Sequence, residues 1–101
     1  MTTVRLTRAA LRDLEVARDH LLEAAGVAVA LRFIERVEQA QDVLARFPDS
    51  GASWSFVAAG LRRWNLAGFP YGLFYRNHGT TVLILPVLHT SRDIPATLRE
   101  G

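Results

Sequence analysis

Four residues in this chain have chemistry to offer: His89, Arg62, Arg76 and Arg92. Histidine is the side-chain type suited to proton exchange near neutral pH, so His89 is the acid/base candidate. Arginine binds phosphate through paired N–H donors and stabilises charge that builds on it. One histidine in such a basic setting suits cleavage of RNA by internal attack of the ribose 2′-OH, with His89, Arg62 and Arg92 as the catalytic set. The same residues also have a structural use. His89 can hydrogen-bond at a strand end, and Arg92 can pair with Asp93 to fix the last turn. A third use is recognition, in which Arg62, Arg63, Trp64, Arg76, His89 and Arg92 form a binding surface, since Trp and Arg are the common anchors of protein contacts. His20 falls on a helix and His78 in a turn, neither with a cluster around it. No metal-ligand spacing is present, and nothing calls for a cofactor.

These residues are positioned by the stretch from Phe69 to Asp93, which reads as a hairpin. Tyr71, Leu73 and Tyr75 share one face of its first strand, and Gly72, Phe74 and Arg76 the other. Asn77-His78-Gly79 is the turn, because glycine reaches φ > 0 at no steric cost. Thr81 to Leu88 is apolar on both faces, the pattern of a central strand. Pro86 cannot donate to a ladder and predicts a bulge or an end of pairing. With a two-residue loop at His78-Gly79, Arg76 falls on the same face as Leu83, Leu85, Val87 and His89. Beyond the strand, Asp93 can cap a short helix with Pro95 in its first turn.

The rest of the chain supplies what the hairpin packs on. Val4-Arg5-Leu6-Thr7 alternates like a short strand, and Thr7 can cap a helix. From Ala10 to Ala25, the stripe Leu11, Leu14, Ala17, Leu21, Leu22 and Ala25 recurs at helical spacing, with Gly26 as a stop in the left-handed region. Val27 to Phe47 is a second helix striped by Ala30, Leu31, Ile34, Val37, Ala40, Leu44 and Phe47. So short a link makes the two helices an antiparallel pair. Pro48-Asp49-Ser50-Gly51 ends it. Ala52 to Gly60 is a small-residue link in which Trp54 and Phe56 plug a core edge or meet a partner. Leu61 to Leu66 is a strand with Arg62, Trp64 and Leu66 on one face and Leu61, Arg63 and Asn65 on the other. The fold class is α+β, in a single domain over residues 1–101: a short N-terminal strand at a sheet edge, a helical hairpin, and an antiparallel sheet with the hairpin on one face.

Half of the residues are hydrophobic, which argues against disorder. No apolar run approaches the ~18 residues of a membrane span, and no signal-peptide core is visible, so a cytoplasmic protein without membrane contact is expected. Cysteine is absent, which excludes disulfides and thiolate metal sites. All 12 Lys or Arg positions are arginine. Residues 1–47 balance seven arginines against seven acids, whereas residues 50–92 carry Arg62, Arg63, Arg76 and Arg92 and no acid. A helical half with mixed charge and a purely basic sheet half predict an acidic or phosphate-bearing partner for the sheet half.

Tyr71…Tyr75 followed by Ile84-Leu85-Pro86-Val87-Leu88-His89-Thr90-Ser91-Arg92-Asp93 resembles the end of a RelE/ParE-superfamily toxin. Asp13-Leu14, Pro48-x-x-Gly51 and Leu61-Arg62 fall where that family has them. The V-L-H-x-x-R-D ending is most similar to the ParE branch. The resemblance covers residues 4–93. It implies a toxin of a type II toxin–antitoxin system, inhibiting DNA gyrase by protein contact and neutralised by a cognate ParD-like, DNA-binding antitoxin that wraps it with helices and an added strand. The RelE branch implies instead a ribosome-dependent mRNA endoribonuclease. That branch uses lysines and arginines, with a C-terminal tyrosine or histidine in some members. Here there is no lysine, and Gly72 stands where such members often have arginine, so the ParE reading ranks first. A non-toxic binding module on the same scaffold is the third alternative.

Overall fold

The computed structural model describes residues 2–90. Its elements are β1 (Thr3–Leu6), α1 (Arg8–Ala25), α2 (Val27–Arg46), β2 (Ala52–Ser53), β3 (Leu61–Asn65), β4 (Tyr71–Asn77) and β5 (Thr81–His89). The strands form one sheet in the order β1-β5-β4-β3-β2. β3, β4 and β5 are the antiparallel meander that the alternation predicts. β1 takes an edge as expected, parallel to β5, with Thr3 against Thr81 and Leu6 against Ile84. β2 is an addition: the link after Gly51 starts with two residues that pair, Ala52 with Arg63 and Ser53 with Arg62. Small side chains there let the backbone satisfy the open edge of β3.

Thr7 caps α1 as predicted, its Oγ1 accepting from the Ala10 N–H at 3.1 Å and donating to the Leu85 carbonyl at 2.8 Å. One hydroxyl thus fixes both the helix start and the strand beneath it. Gly26 ends α1 and starts α2 by itself. Its φ of 90° with ψ of 177° is not the expected left-handed helical stop but an extended positive-φ geometry that only glycine tolerates. The hairpin therefore closes on one residue.

The helices lie on one face of the sheet, around a core that includes Ala17, Phe33, Val37, Ala40, Leu44, Leu73, Tyr75, Val82, Ile84 and Val87. The inward stripe of α2 is Ala30, Phe33, Val37, Ala40 and Leu44, at steps of three and four. Phe33, absent from the predicted stripe, is among the largest fully buried side chains. Leu11, Leu22, Leu31 and Phe47, all placed on the stripes by the sequence, are exposed. The reason is rotation: buried alanines at 10, 17, 30 and 40 bring the helix backbones close to their neighbours, and the leucines flank the contact instead of filling it. On the other face a smaller cluster joins Leu61, Phe74 and Leu88, with Trp54, Val57, Ala58 and Leu85 packed against it.

Pro86 makes the bulge its type predicts. Leu73 faces Val87 but Tyr75 faces Ile84, so Leu85 and Pro86 together oppose Phe74. The extra residue reverses side-chain parity along β5. Leu83, paired with Arg76, and Leu85 lie on the outer face, while Val87 and His89 turn to the helix side. The expectation that Arg76 and His89 share a face is corrected by this bulge. The hairpin loop is also displaced by one residue. Asn77 pairs with Val82 and the His78 N–H donates to the Thr81 carbonyl at 2.8 Å, so Gly79 and Thr80 are the loop residues. Gly79 has φ 87°, as the first position of a type II′ turn needs.

Candidate functional site

The residues singled out by the sequence divide between the two faces of the sheet. On the helix side, Arg62 is occupied by the loop after α2. Its Nη1 donates to the Gly51 carbonyl at 2.8 Å and the Asp49 carbonyl at 3.1 Å, and its Nε lies 3.7 Å from the Asp49 carboxylate. Tyr75, fully buried, accepts the Gly51 N–H at 2.8 Å. Gly51 is thus gripped at both its N–H and its carbonyl, and a Cβ there would sit 2.5 Å from the tyrosine oxygen. Burial pushes the Tyr75 phenol above its ordinary value, against smaller downward effects from the Gly51 bond and the Arg62 charge. Trp64 also points to this side and packs half-buried against the main core.

On the outer face, Arg63 spreads over aromatic rings, its guanidinium carbon 5.2 Å from the Trp54 ring and 5.6 Å from Phe74. Its Nε donates to Asn65 Oδ1 at 2.7 Å. Gly72 makes this possible, because a Cβ at that position would lie 2.7 Å from the Arg63 Nε. Trp54 stands edge-on to Phe74 at 5.1 Å, the plug the sequence suggested, and Phe56 beside it is 75% exposed. Arg76 donates from Nε to the Ala59 carbonyl at 3.3 Å. Cation, aromatic and aliphatic groups therefore alternate over one surface, with no acid among the sheet residues to offset the arginines.

His89 is held apart from both arginine positions. It pairs with Tyr71, their rings edge-on at 5.2 Å, whereas Arg62 pairs with Tyr75, four residues along β4. Four strand residues span about 13 Å. Arg76 lies on the opposite face. The described residues thus do not bring His89 together with Arg62 or Arg76, and Arg92 and the Asp93 cap lie outside the described residues. What gathers near His89 was not singled out by the sequence: a cleft of about 490 Å³ between α1 and the end of β5, lined by residues that include Arg12, Asp13, His20, Tyr71 and His89. The Asp13 carboxylate accepts the Val87 N–H at 3.0 Å there. His20 is not isolated on its helix. The signal was the recurrence of residues 13, 17 and 20 on one helical face, but which end of the sheet that face meets is decided by packing. No group of three or more His, Cys, Asp or Glu able to hold a metal occurs among the described residues. No helix among them is long and apolar enough to cross a membrane.

A helical hairpin lies on one face of a sheet whose edge strand β1 runs parallel to the last strand, and this architecture and the sequence both have counterparts among known proteins. The family model described as "ParE toxin of type II toxin-antitoxin system, parDE" matches residues 4–94. The chain belongs to the ParE toxin family of type II toxin–antitoxin systems. Among solved structures, a chain of the chromosomal ParDE TA system from P. aeruginosa is similar in fold, with a TM-score of 0.77 at 24% identity, over 90% of this chain and 98% of that one. A search of curated proteins finds no match.

Proposed function

We propose that this ParE-family toxin acts by protein contact on DNA gyrase, in the cytoplasm, and is neutralised by a cognate ParD-like, DNA-binding antitoxin. The observation that carries the reading is the outer sheet face. Arg63 and Arg76 lie there among Trp54, Phe56 and Phe74, in a segment without any acid from 50 to 92. Arginine and aromatic side chains are the usual anchors of protein interfaces, and a surface of one sign selects and steers an acidic partner. The solved relative is a ParDE system, which supports an antitoxin as one such partner. Contact also fits the placement of the chemistry. Positioned proton transfer is worth about 10²–10⁴-fold, and it needs its groups within hydrogen-bond reach of one another or of the substrate. Arg62 is engaged with Gly51 and Asp49 instead of facing His89.

The test is a comparison of two assays on the purified chain, freed of antitoxin. Inhibition of gyrase supercoiling, or trapping of the cleaved gyrase–DNA complex, without cleavage of messages on translating ribosomes, is the expected result. Message cleavage with gyrase unaffected would overturn it.

A further inference from the structure

The outer sheet face holds an arginine that the reading above leaves unused. Arg5 counts among the charge-balanced first half of the chain, yet the parallel register of β1 sets it beside Leu83 of β5. Leu83 in turn faces Arg76 of β4, and Arg76 faces Leu61 of β3. Their chain neighbours Val4, Leu6, Val82, Ile84 and Tyr75 pack in the helix-side core, so alternation turns this row to the outer face. Past Leu61, whose carbonyl accepts the Trp54 N–H at 2.8 Å, the row ends on Trp54 and Phe56. Across the strands the order is therefore cation, aliphatic, cation, aliphatic, aromatic. Arg5 makes no hydrogen bond or ion pair with any described residue. Arg76 uses only its Nε, so its two terminal nitrogens remain for a carboxylate. Every described acid lies on α1, on α2 or at Asp49, which is held by Arg62 on the helix side, so none offsets this row.

We propose that this row docks an acidic amphipathic helix of a protein partner, with one carboxylate on Arg5, the next on Arg76 and an apolar side chain between them on Leu83. The inference rests on the protein-contact reading and names the chemistry of the segment that is held. Neighbouring strands stand about 4.8 Å apart, which puts Arg5 and Arg76 about 10 Å apart at their backbones. A helix rises about 5.4 Å per turn, so its residues i, i+3 or i+4, and i+7 fall on successive strands. An extended chain repeats one side every ~6.7 Å and falls out of step with them. Nucleic acid would satisfy the arginines, but its phosphates offer nothing to Leu83, which lies half-buried between them. Arg5 thereby selects an acid–apolar–acid spacing over a single acidic contact.

The probe is an alanine-rich helical peptide with glutamates at i and i+7 and leucine at i+3, titrated into the full chain and followed by amide and arginine side-chain NMR shifts. Saturable shifts confined to the outer face are expected. Arg5 is exposed and Arg76 is held only at its Nε, so Arg5→Gln and Arg76→Gln should keep the amide spectrum of the fold. Each is expected to weaken the peptide about three- to fivefold, the worth of one exposed ion pair. Arg18→Gln, on α1 in the other layer, is expected to change nothing. A peptide of the same composition with its second glutamate moved to i+2, on the far side of the helix, should bind about threefold less tightly. Equal binding of the two peptides, no effect of Arg5→Gln, or tighter binding of an oligothymidylate to the same face would overturn the proposal. No gyrase enters this experiment. A chain that inhibits gyrase but does not hold the peptide would sink the docking row alone, and a chain that holds the peptide but is inert toward gyrase would support the row and remove gyrase as the target.

Discussion

The Gly51 peptide is held by two side chains that arrive from neighbouring strands, Tyr75 at its N–H and Arg62 at its carbonyl. Removing the tyrosine oxygen leaves a buried donor without a partner, which costs about 1–3 kcal/mol. Tyr75→Phe should lower the urea unfolding free energy by that amount, and an unchanged midpoint would remove the hydrogen bond from the account. The same residue predicts an alkaline effect. Its phenol ionises less readily in the fold than the ordinary 10.0, so the unfolded chain loses this proton first. The stability it contributes is complete below pH 10 and is lost as pH rises through the folded value. In Tyr75→Phe that part of the alkaline decline should be absent, which a series of urea midpoints across pH 9 to 11 measures. Gly51 and Gly72 are required for a different reason than turn glycines. Each clears space for a side chain, Tyr75 in one case and Arg63 in the other. The sequence marked both positions through family resemblance, but the neighbours that need the space lie 24 and nine residues away and are not visible in it.

Among the elements, the helical hairpin hangs on Gly26. Its φ of 90° with ψ of 177° is closed to side chains, although nothing lies within 4 Å of where a Cβ would go. Gly26→Ala therefore tests backbone strain alone. It should cost about 1–3 kcal/mol in thermal or urea unfolding, and a neutral result would mean that the link relaxes to another geometry. How far these elements could be read from the chain depends on what sets each. Strand and helix existence follows from local period, and the capping of α1 by Thr7 from one hydroxyl at the right place, so both were legible. Pro86 announced a bulge, because a residue without an N–H cannot continue the ladder. The side to which His89 turns was not legible, since one inserted residue reverses parity and the count depends on which residues of β4 it opposes. Helix rotation was misjudged for a similar reason. Leucines carry the stronger hydrophobic signal, but alanines at 10, 17, 30 and 40 allow the closer approach and so take the interior. The cleft at Asp13 and His20 follows from that rotation and was hidden with it.

Across the whole molecule, a charge-balanced helical layer backs a sheet whose arginines have no acidic neighbours within 50–92. On the proposed function the outer arginines serve partners, whereas Arg62 holds the loop at Asp49 and Gly51. Arg63→Glu and Arg76→Glu should each weaken the antitoxin complex about tenfold, mostly through a slower association that also falls with added salt. Arg62→Glu should instead lower the unfolding free energy, because it releases Gly51 and Asp49. Surface plasmon resonance at several salt concentrations, beside urea unfolding, separates the two effects. Equal affinity for all three variants at every salt concentration would exclude the arginine surface as the interface. The most direct test of the central claim, contact in place of catalysis, is the concentration of His89→Ala that half-inhibits gyrase supercoiling. A value within about two- to threefold of the unsubstituted chain is expected, because His89 lies on the helix side of the sheet, away from the outer arginine face. A loss of about 10²–10⁴-fold with the fold intact, the size of a missing acid or base, would contradict it.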